Sequence, residues 1–173
     1  MKKIYLVFSH TGSFPSHIIR LYTRKKYSHI SISLDKELKE MYSFGRLNPY
    51  VPFLGGFVHE NPRKGTYKRF KNTDSIIYSL DVSDDVYDIM KDTIEEINRN
   101  KNHYHYNILG FIAVFFHFSL QRKKHFTCAE FIRYLFNKSH LDFNLPSVIK
   151  PDDFQKINDL NLIYTGKLNA YHG

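Results

Sequence analysis

The chain alternates between two kinds of periodicity, and the switch between them divides it into a strand-rich first half and a helix-rich second half. Ile4-Tyr5-Leu6-Val7-Phe8 is a short continuous apolar run that stops at Ser9-His10-Thr11-Gly12, which predicts a buried first strand. In Tyr27-Ser28-His29-Ile30-Ser31-Ile32-Ser33-Leu34 the pattern is strictly two-fold. Ile30, Ile32 and Leu34 share one face, and His29, Ser31 and Ser33 share the other, as in a half-buried strand. A second strand over about 40–44 completes a hairpin. Thr66–Phe70 and Ser75–Val82 read as further strands, and Leu160–Leu168 as a terminal one. The Pro- and Gly-rich stretch from Leu47 to Lys64 predicts a long surface loop.

Helical spacing takes over elsewhere. Ser83-Asp84-Asp85 caps a helix reaching about Arg99, with Val86, Ile89, Met90, Thr93, Ile94 and Ile97 on its inner face. Ser16–Lys25 forms a shorter helix, Ile108–Leu120 a buried apolar one, and Pro151 opens a short one. From Cys128 onward, Cys128, Phe131, Ile132, Leu135 and Phe136 repeat at helical spacing, with Thr127 in the N-cap position. The expected architecture is one α+β domain over residues 1–173, an antiparallel sheet packed against helices.

Composition narrows the class without choosing a function. Hydrophobic residues make up 42% and charged residues 24%, which suits a packed domain and not a disordered chain. With one cysteine there is no internal disulfide and no cysteine-based zinc site, and His103 and His105 alone make a poor metal site. No metal or cofactor is expected. The opening apolar run is shorter than the ~7–15 residues of a secretory core, and Ile108–Leu120 is shorter than the ~20 needed to span a bilayer. A cytoplasmic protein without a transmembrane segment is therefore expected.

The formal charge of +8 gathers at Arg20, Arg24, Lys25 and Lys26, at Arg63, Lys64, Lys68, Arg69 and Lys71, and at Arg122, Lys123 and Lys124. No nucleic-acid-binding motif accompanies these clusters, so they read as solvated basic loops and no specific nucleic-acid partner is expected. The third cluster precedes Cys128, where a positive field favours a thiolate or draws in an anionic substrate.

Cys128 carries the candidate chemistry. A thiol in the first turn of a helix feels the positive end of the helix dipole and unpaired N–H groups, and both favour the nucleophilic thiolate. The competing reading is an inert buried cysteine packed as a small hydrophobe. His29, on the polar face of its strand, would supply the imidazole that a catalytic cysteine requires.

Three stretches, in order, resemble a known family: Gly12-Ser13-Phe14-Pro15-Ser16-His17-Ile18-Ile19-Arg20 with Thr23 and Tyr27–Ile32; Met41-Tyr42-Ser43-Phe44-Gly45-Arg46 with Gly55-Gly56-Phe57-Val58; and Tyr106-Asn107-Ile108-Leu109-Gly110 leading to Phe126–Phe131. Together they span roughly residues 5–138. The chain resembles the circularly permuted NlpC-type papain-like hydrolases, the branch with YiiX-like and lecithin:retinol acyltransferase-like proteins. There the histidine strand comes first and the cysteine helix late. The resemblance implies a permuted papain-like fold, Cys128 as nucleophile, His29 as base, and a third polar residue that orients the imidazole. Ser43 is the nearest match to that third position, with Glu40 as its competitor. A cysteine hydrolase of peptidase or amidase type is the expected activity, acting on a peptide, amide or acyl-lipid substrate. The alternatives are lipid acyl transfer or thioester hydrolysis at the same site, or a binding module with a basic aromatic surface.

Overall fold

The computed structural model describes residues 1–12, 26–107 and 123–173. The predicted helices at 16–25 and 108–120 lie outside the described residues. Six strands form one antiparallel sheet: β1 (Lys2–His10), β2 (His29–Ser33), β3 (Met41–Asn48), β4 (Val51–Glu60), β5 (Asp74–Val82) and β8 (Asn161–Lys167). Their spatial order is β4-β3-β2-β1-β5-β8. The short strands β6 (His105–Tyr106) and β7 (His125–Phe126) pair in parallel as a separate ribbon. The helices are α1 (Gly65–Arg69), α2 (Asp84–Arg99) and α3 (Cys128–Lys138). The expected α+β class is the observed one.

β1 is the hinge of the architecture because it is buried on both faces. Ile4, Leu6 and Phe8 enter the larger core with Ile30, Ile32, Phe44 and Phe57, against Met90, Ile94 and Ile97 of α2 and Phe131, Ile132 and Leu135 of α3. Tyr5 and Val7 enter a smaller core on the opposite face with Met41, Tyr67, Ile77, Leu168 and Tyr171. A strand covered twice loses its polar alternation, which is why its sequence is a continuous apolar run. The alternation of β2 survives, but Ser31 and Ser33 are themselves fully buried and hydrogen-bonded under that second layer. Two covered faces thus replace the half-solvated sheet that the serines of β2 suggested.

Two local readings are corrected. The expected loop from Leu47 to Lys64 contains the whole of β4, which pairs with β3 from Met41↔Glu60 to Asn48↔Val51, so β3 also extends past residue 44. β4 is an edge strand, where a proline's missing N–H is tolerated. Its glycines permit close packing: a Cβ on Gly55 would stand 2.8 Å from Tyr106 Cβ and Cγ, and one on Gly56 3.2 Å from Leu47. The second correction is Thr66–Phe70, expected as a strand and found as the short helix α1 followed by Phe70. Gly65, at φ +53°, turns the chain into it, and the Phe70 N–H closes it on the Thr66 carbonyl at 2.9 Å. Only Tyr67 is deeply buried there, so one anchor mimicked a strand pattern.

α2 begins where expected, with Ser83 Oγ accepting from the Val86 N–H and two aspartates in the first turn. Pro151–Lys156 forms a 3₁₀ turn that buries Phe154. Among the described residues, no helix is long and apolar enough to cross a membrane.

Candidate functional site

α3 starts at Cys128 because Thr127 and Glu130 cap it reciprocally. Thr127 Oγ1 accepts from the Glu130 N–H at 3.2 Å, and Glu130 Oε2 accepts from the Thr127 N–H at 2.7 Å. Asn107, fully buried, ties the preceding ribbon to this cap. Its side-chain amide donates to Glu130 Oε2 at 3.3 Å, and its backbone N–H donates to the Phe126 carbonyl at 3.0 Å. The position of the thiol is therefore fixed from both the helix and the β6–β7 ribbon. Cys128 itself is 7% exposed, enough to leave an edge of the residue at the surface of the core it joins.

His29 opens β2, opposite Ser9 of β1. Its Nε2 donates to Glu60 Oε1 at 3.0 Å. The two side chains retain 20% and 11% of their exposure, so the pair is largely but not wholly removed from water. Burial alone would lower the pKa of the ring. The Glu60 charge, the Cys128 thiol as a hydrogen-bonding neighbour and the Glu60 hydrogen bond outweigh it and raise the ring to about 10. Conversely, burial works against ionisation of Glu60, but His29, Ser31 and Ser43 bring its pKa below the ordinary value. The result is an imidazolium–carboxylate pair at neutral pH. The structure thus brings His29 and Cys128 together from segments a hundred residues apart in sequence.

The orienting residue is Glu60, in place of Ser43 or Glu40. Glu60 is the last residue of β4, opposite Met41, and so reaches the histidine strand across β3. Ser31 Oγ donates to Glu60 Oε2, and the buried Tyr67 hydroxyl donates to the same oxygen at 3.2 Å. Ser9 Oγ stands 3.3 Å from that hydroxyl and extends the network to β1. Each carboxylate oxygen therefore has a partner, which is the condition for keeping a charge in so dry a place.

Ser43 lies within this cluster but does not hold the ring. Its Oγ is buried and makes no well-formed hydrogen bond, although its proximity helps to keep Glu60 ionised. Gly45 marks the centre of the cluster. A Cβ there would stand 3.2 Å from Ser43 Oγ, 3.3 Å from Glu60 Oε1 and 3.4 Å from His29 Cε1. Glu40 is exposed, and its backbone N–H donates to Asp35 in the β2–β3 turn. A carboxylate is the stronger orienter, since it adds a charge that stabilises the imidazolium. The only signal for Glu60 was an acidic residue ending an apolar segment, Phe57-Val58-His59-Glu60, within a stretch read as a loop.

Tyr106 is the other neighbour of the thiol that residue patterning did not single out. Burial, followed by the charges of Cys128 and Glu130, pushes its hydroxyl far above its usual range, so it remains a neutral donor. The charge of Arg46 acts on this tyrosine in the opposite sense. Of the basic cluster expected beside Cys128, Lys123 is exposed and Lys124 turns its ammonium over Tyr104, 5.5 Å from the ring centre. Among the described residues, no three histidine, cysteine or acidic side chains are grouped as metal ligands.

The ensemble is a thiol at a capped helix start, an imidazole within its reach, a buried carboxylate behind the imidazole and a neutral phenol beside the thiol. No protein-family model, no curated protein and no solved structure matches the chain.

Proposed function

We propose that the chain is a cysteine hydrolase of peptidase or amidase type that works through an acyl-thioester intermediate. One observation carries the reading. The lone thiol, at the first position of a capped helix, neighbours an imidazole whose far nitrogen is engaged by a buried, fully hydrogen-bonded glutamate. The order of these parts along the chain also suits the resemblance to permuted NlpC-type papain-like hydrolases, with Glu60 in the orienting role.

In this reading Cys128 attacks as the thiolate, and the His29 imidazolium stands beside it as counter-charge. Because Nε2 is bound to Glu60, Nδ1 is the nitrogen left to exchange protons at the thiol. Sγ bonds to the carbonyl carbon and the carbonyl oxygen becomes an oxyanion. Backbone N–H groups of the first turn of α3, which a helix start leaves without intrahelical partners, and the Tyr106 hydroxyl are the donors assigned to it in this reading. His29 then gives its proton to the leaving nitrogen, and the C–N bond breaks. In the second half, the now neutral His29 takes a proton from water while the hydroxide adds to the thioester. Expulsion of the thiolate releases the acid and restores the imidazolium.

The test is alkylation of Cys128 by iodoacetamide. The expected result is labelling at about pH 6 that exceeds the rate of a free thiol, with the excess lost in His29→Ala. Labelling like an ordinary thiol in both proteins would instead favour a non-catalytic binding module. A panel of peptide amides and short acyl esters then distinguishes amide hydrolysis from thioesterase or acyl-transfer chemistry.

A further inference from the structure

The hydroxyl of Tyr67 stands where packing does not ask for one. Tyr67 is the buried residue of α1, and its ring fills the smaller core with Tyr5, Val7 and Ile77. A phenylalanine would fill the same space, and a buried hydroxyl costs free energy unless it is hydrogen-bonded. Tyr171 of the same core supplies the contrast, since its hydroxyl is buried and has no hydrogen-bond partner among the described residues. The Tyr67 hydroxyl instead donates to Glu60 Oε2 at 3.2 Å. A hydroxyl has one proton to give, so Ser9 Oγ, 3.3 Å away and fully buried, is the donor to Tyr67. Ser9 in turn lies opposite His29 in the β1–β2 pairing.

Two hydroxyls, Ser31 of the sheet and Tyr67 of the helix covering it, thus share Oε2, and Oε1 is the oxygen that meets His29. Donors to an ionised carboxylate favour its charged form, and two on one oxygen also fix the rotation of the carboxyl group. The remaining groups around the carboxylate are His29 and Ser43. Around the phenol stand Ser9, Ser31 and Glu60, and Arg46 senses its charge. His29 is raised to about 10 and Tyr67 lies well above its ordinary value. A titration of this cluster in the acid range therefore belongs to Glu60.

We propose that Tyr67 is a positioning residue for the hydrolytic site, a role that rests on the reading of Cys128 as nucleophile and His29 as its base. Its hydroxyl, held by Ser9, keeps Glu60 ionised and turned so that Oε1 faces the imidazole. The short helix α1 is thereby coupled to the chemistry through a single side chain.

Tyr67→Phe tests this on the intact chain, because it keeps the ring and removes only the hydroxyl. The carboxyl carbon of Glu60, assigned by its loss in Glu60→Gln, is followed by NMR through the acid range. Its titration midpoint should rise by about one pH unit in Tyr67→Phe, since a donor to the charged form is gone. Alkylation of Cys128 by iodoacetamide at about pH 6 should slow several-fold, as the imidazolium beside the thiolate is held less firmly. Ser9→Ala should move both readouts the same way by less, and it carries the test if Tyr67→Phe does not fold. Tyr171→Phe deletes a hydroxyl from the same core, where the charged neighbours are Glu37 and Asp35, and should move neither readout. A Glu60 midpoint unchanged in Tyr67→Phe, or shifted as far in Tyr171→Phe, overturns the role. A midpoint that rises while labelling keeps its native rate also overturns it, leaving Tyr67 a stabiliser of the carboxylate alone. Failure of the catalytic reading shows separately, as labelling that does not respond to His29→Ala.

Discussion

Glu60 does for His29 what a serine at position 43 has no charge to do. The Glu60–Nε2 contact of 3.0 Å fixes the ring, and the carboxylate is the main favourable influence holding the ring protonated against its own burial. Replacing Glu60 with Gln keeps the shape and removes the charge. The pKa of His29 should then fall from about 10 toward its ordinary 6.5, followed by NMR titration of the ring protons. Turnover of any amide found as a substrate should drop roughly 10²-fold, as for loss of a general acid–base partner. Ser43→Ala removes only a nearby dipole from Glu60 and should change turnover by no more than a few-fold, toward the lower end of the ~0.5–1.5 kcal/mol of a neutral hydrogen bond. Cys128→Ser and His29→Ala should each abolish turnover while circular dichroism reports an intact fold. Equal losses in Ser43→Ala and Glu60→Gln would return the orienting role to Ser43. At this scale the thiol and the imidazole were legible, because each stands in a strong local pattern, a capped helix start and an alternating strand. Glu60 was not, because its role depends on a cross-strand register that no local window contains.

The elements explain why the site is rigid. Cys128 sits at the first position of a helix whose start is locked by Thr127 and Glu130, with Asn107 bracing the lock from the β6–β7 ribbon. Thr127→Ala should cost ~1 kcal/mol of stability by chemical denaturation and slow the alkylation of Cys128, since the helix start that presents the thiol then frays. On the sheet side, the contribution of β3 is an absence. Gly45 leaves room for Ser43, Glu60 and His29 to meet, and a methyl group there would press on all three at 3.2–3.4 Å. Gly45→Ala should therefore impair His29-dependent labelling more than it lowers the melting temperature. A melting temperature that falls while the labelling stays at the wild-type rate would show that the glycine serves packing alone. The ends of α2 and the strand character of β1, β2 and β5 were readable from caps and periodicity. β4 was hidden because proline and glycine signal loops to a local reading, whereas at a sheet edge packed against Tyr106 and Leu47 they are compatible with a strand. α1 was hidden for the opposite reason, a five-residue helix being too short to show a helical period.

At the scale of the whole molecule, the sheet separates two cores, and the polar network of the site runs along the one that is smaller and more tyrosine-rich. Tyr67 belongs to that smaller core and also donates to Glu60, so the second layer both covers the sheet and completes the solvation of a buried charge. The sequence announced the large core through the periodicity of α2 and α3. It concealed the small one, whose members come singly from Tyr5, Val7, Met41, Tyr67, Leu168 and Tyr171. One consequence is a characteristic dependence of stability on pH. His29 has its pKa raised in the folded state, so its contribution is fully present below the unfolded value of 6.5 and is lost as pH rises toward about 10. Glu60 has its pKa lowered, so its contribution is present above the unfolded value of 4.5 and is lost as pH falls through its folded value. The pair therefore stabilises the fold most between about pH 4.5 and 6.5, on the acid side of neutrality, with one limb declining into alkali and another into acid. Urea denaturation across this range should show the unfolding free energy of the native protein falling steadily from about pH 6.5 to 10. In Glu60→Gln both limbs should flatten, because the raised pKa of His29 and the carboxylate's own titration disappear together. Glu60→Ala should in addition lower the stability at about pH 6 by roughly 3–5 kcal/mol, the cost of leaving the imidazole's charge buried without its partner. An alkaline limb as steep in Glu60→Gln as in the native chain would mean that the imidazolium is held by something other than this carboxylate.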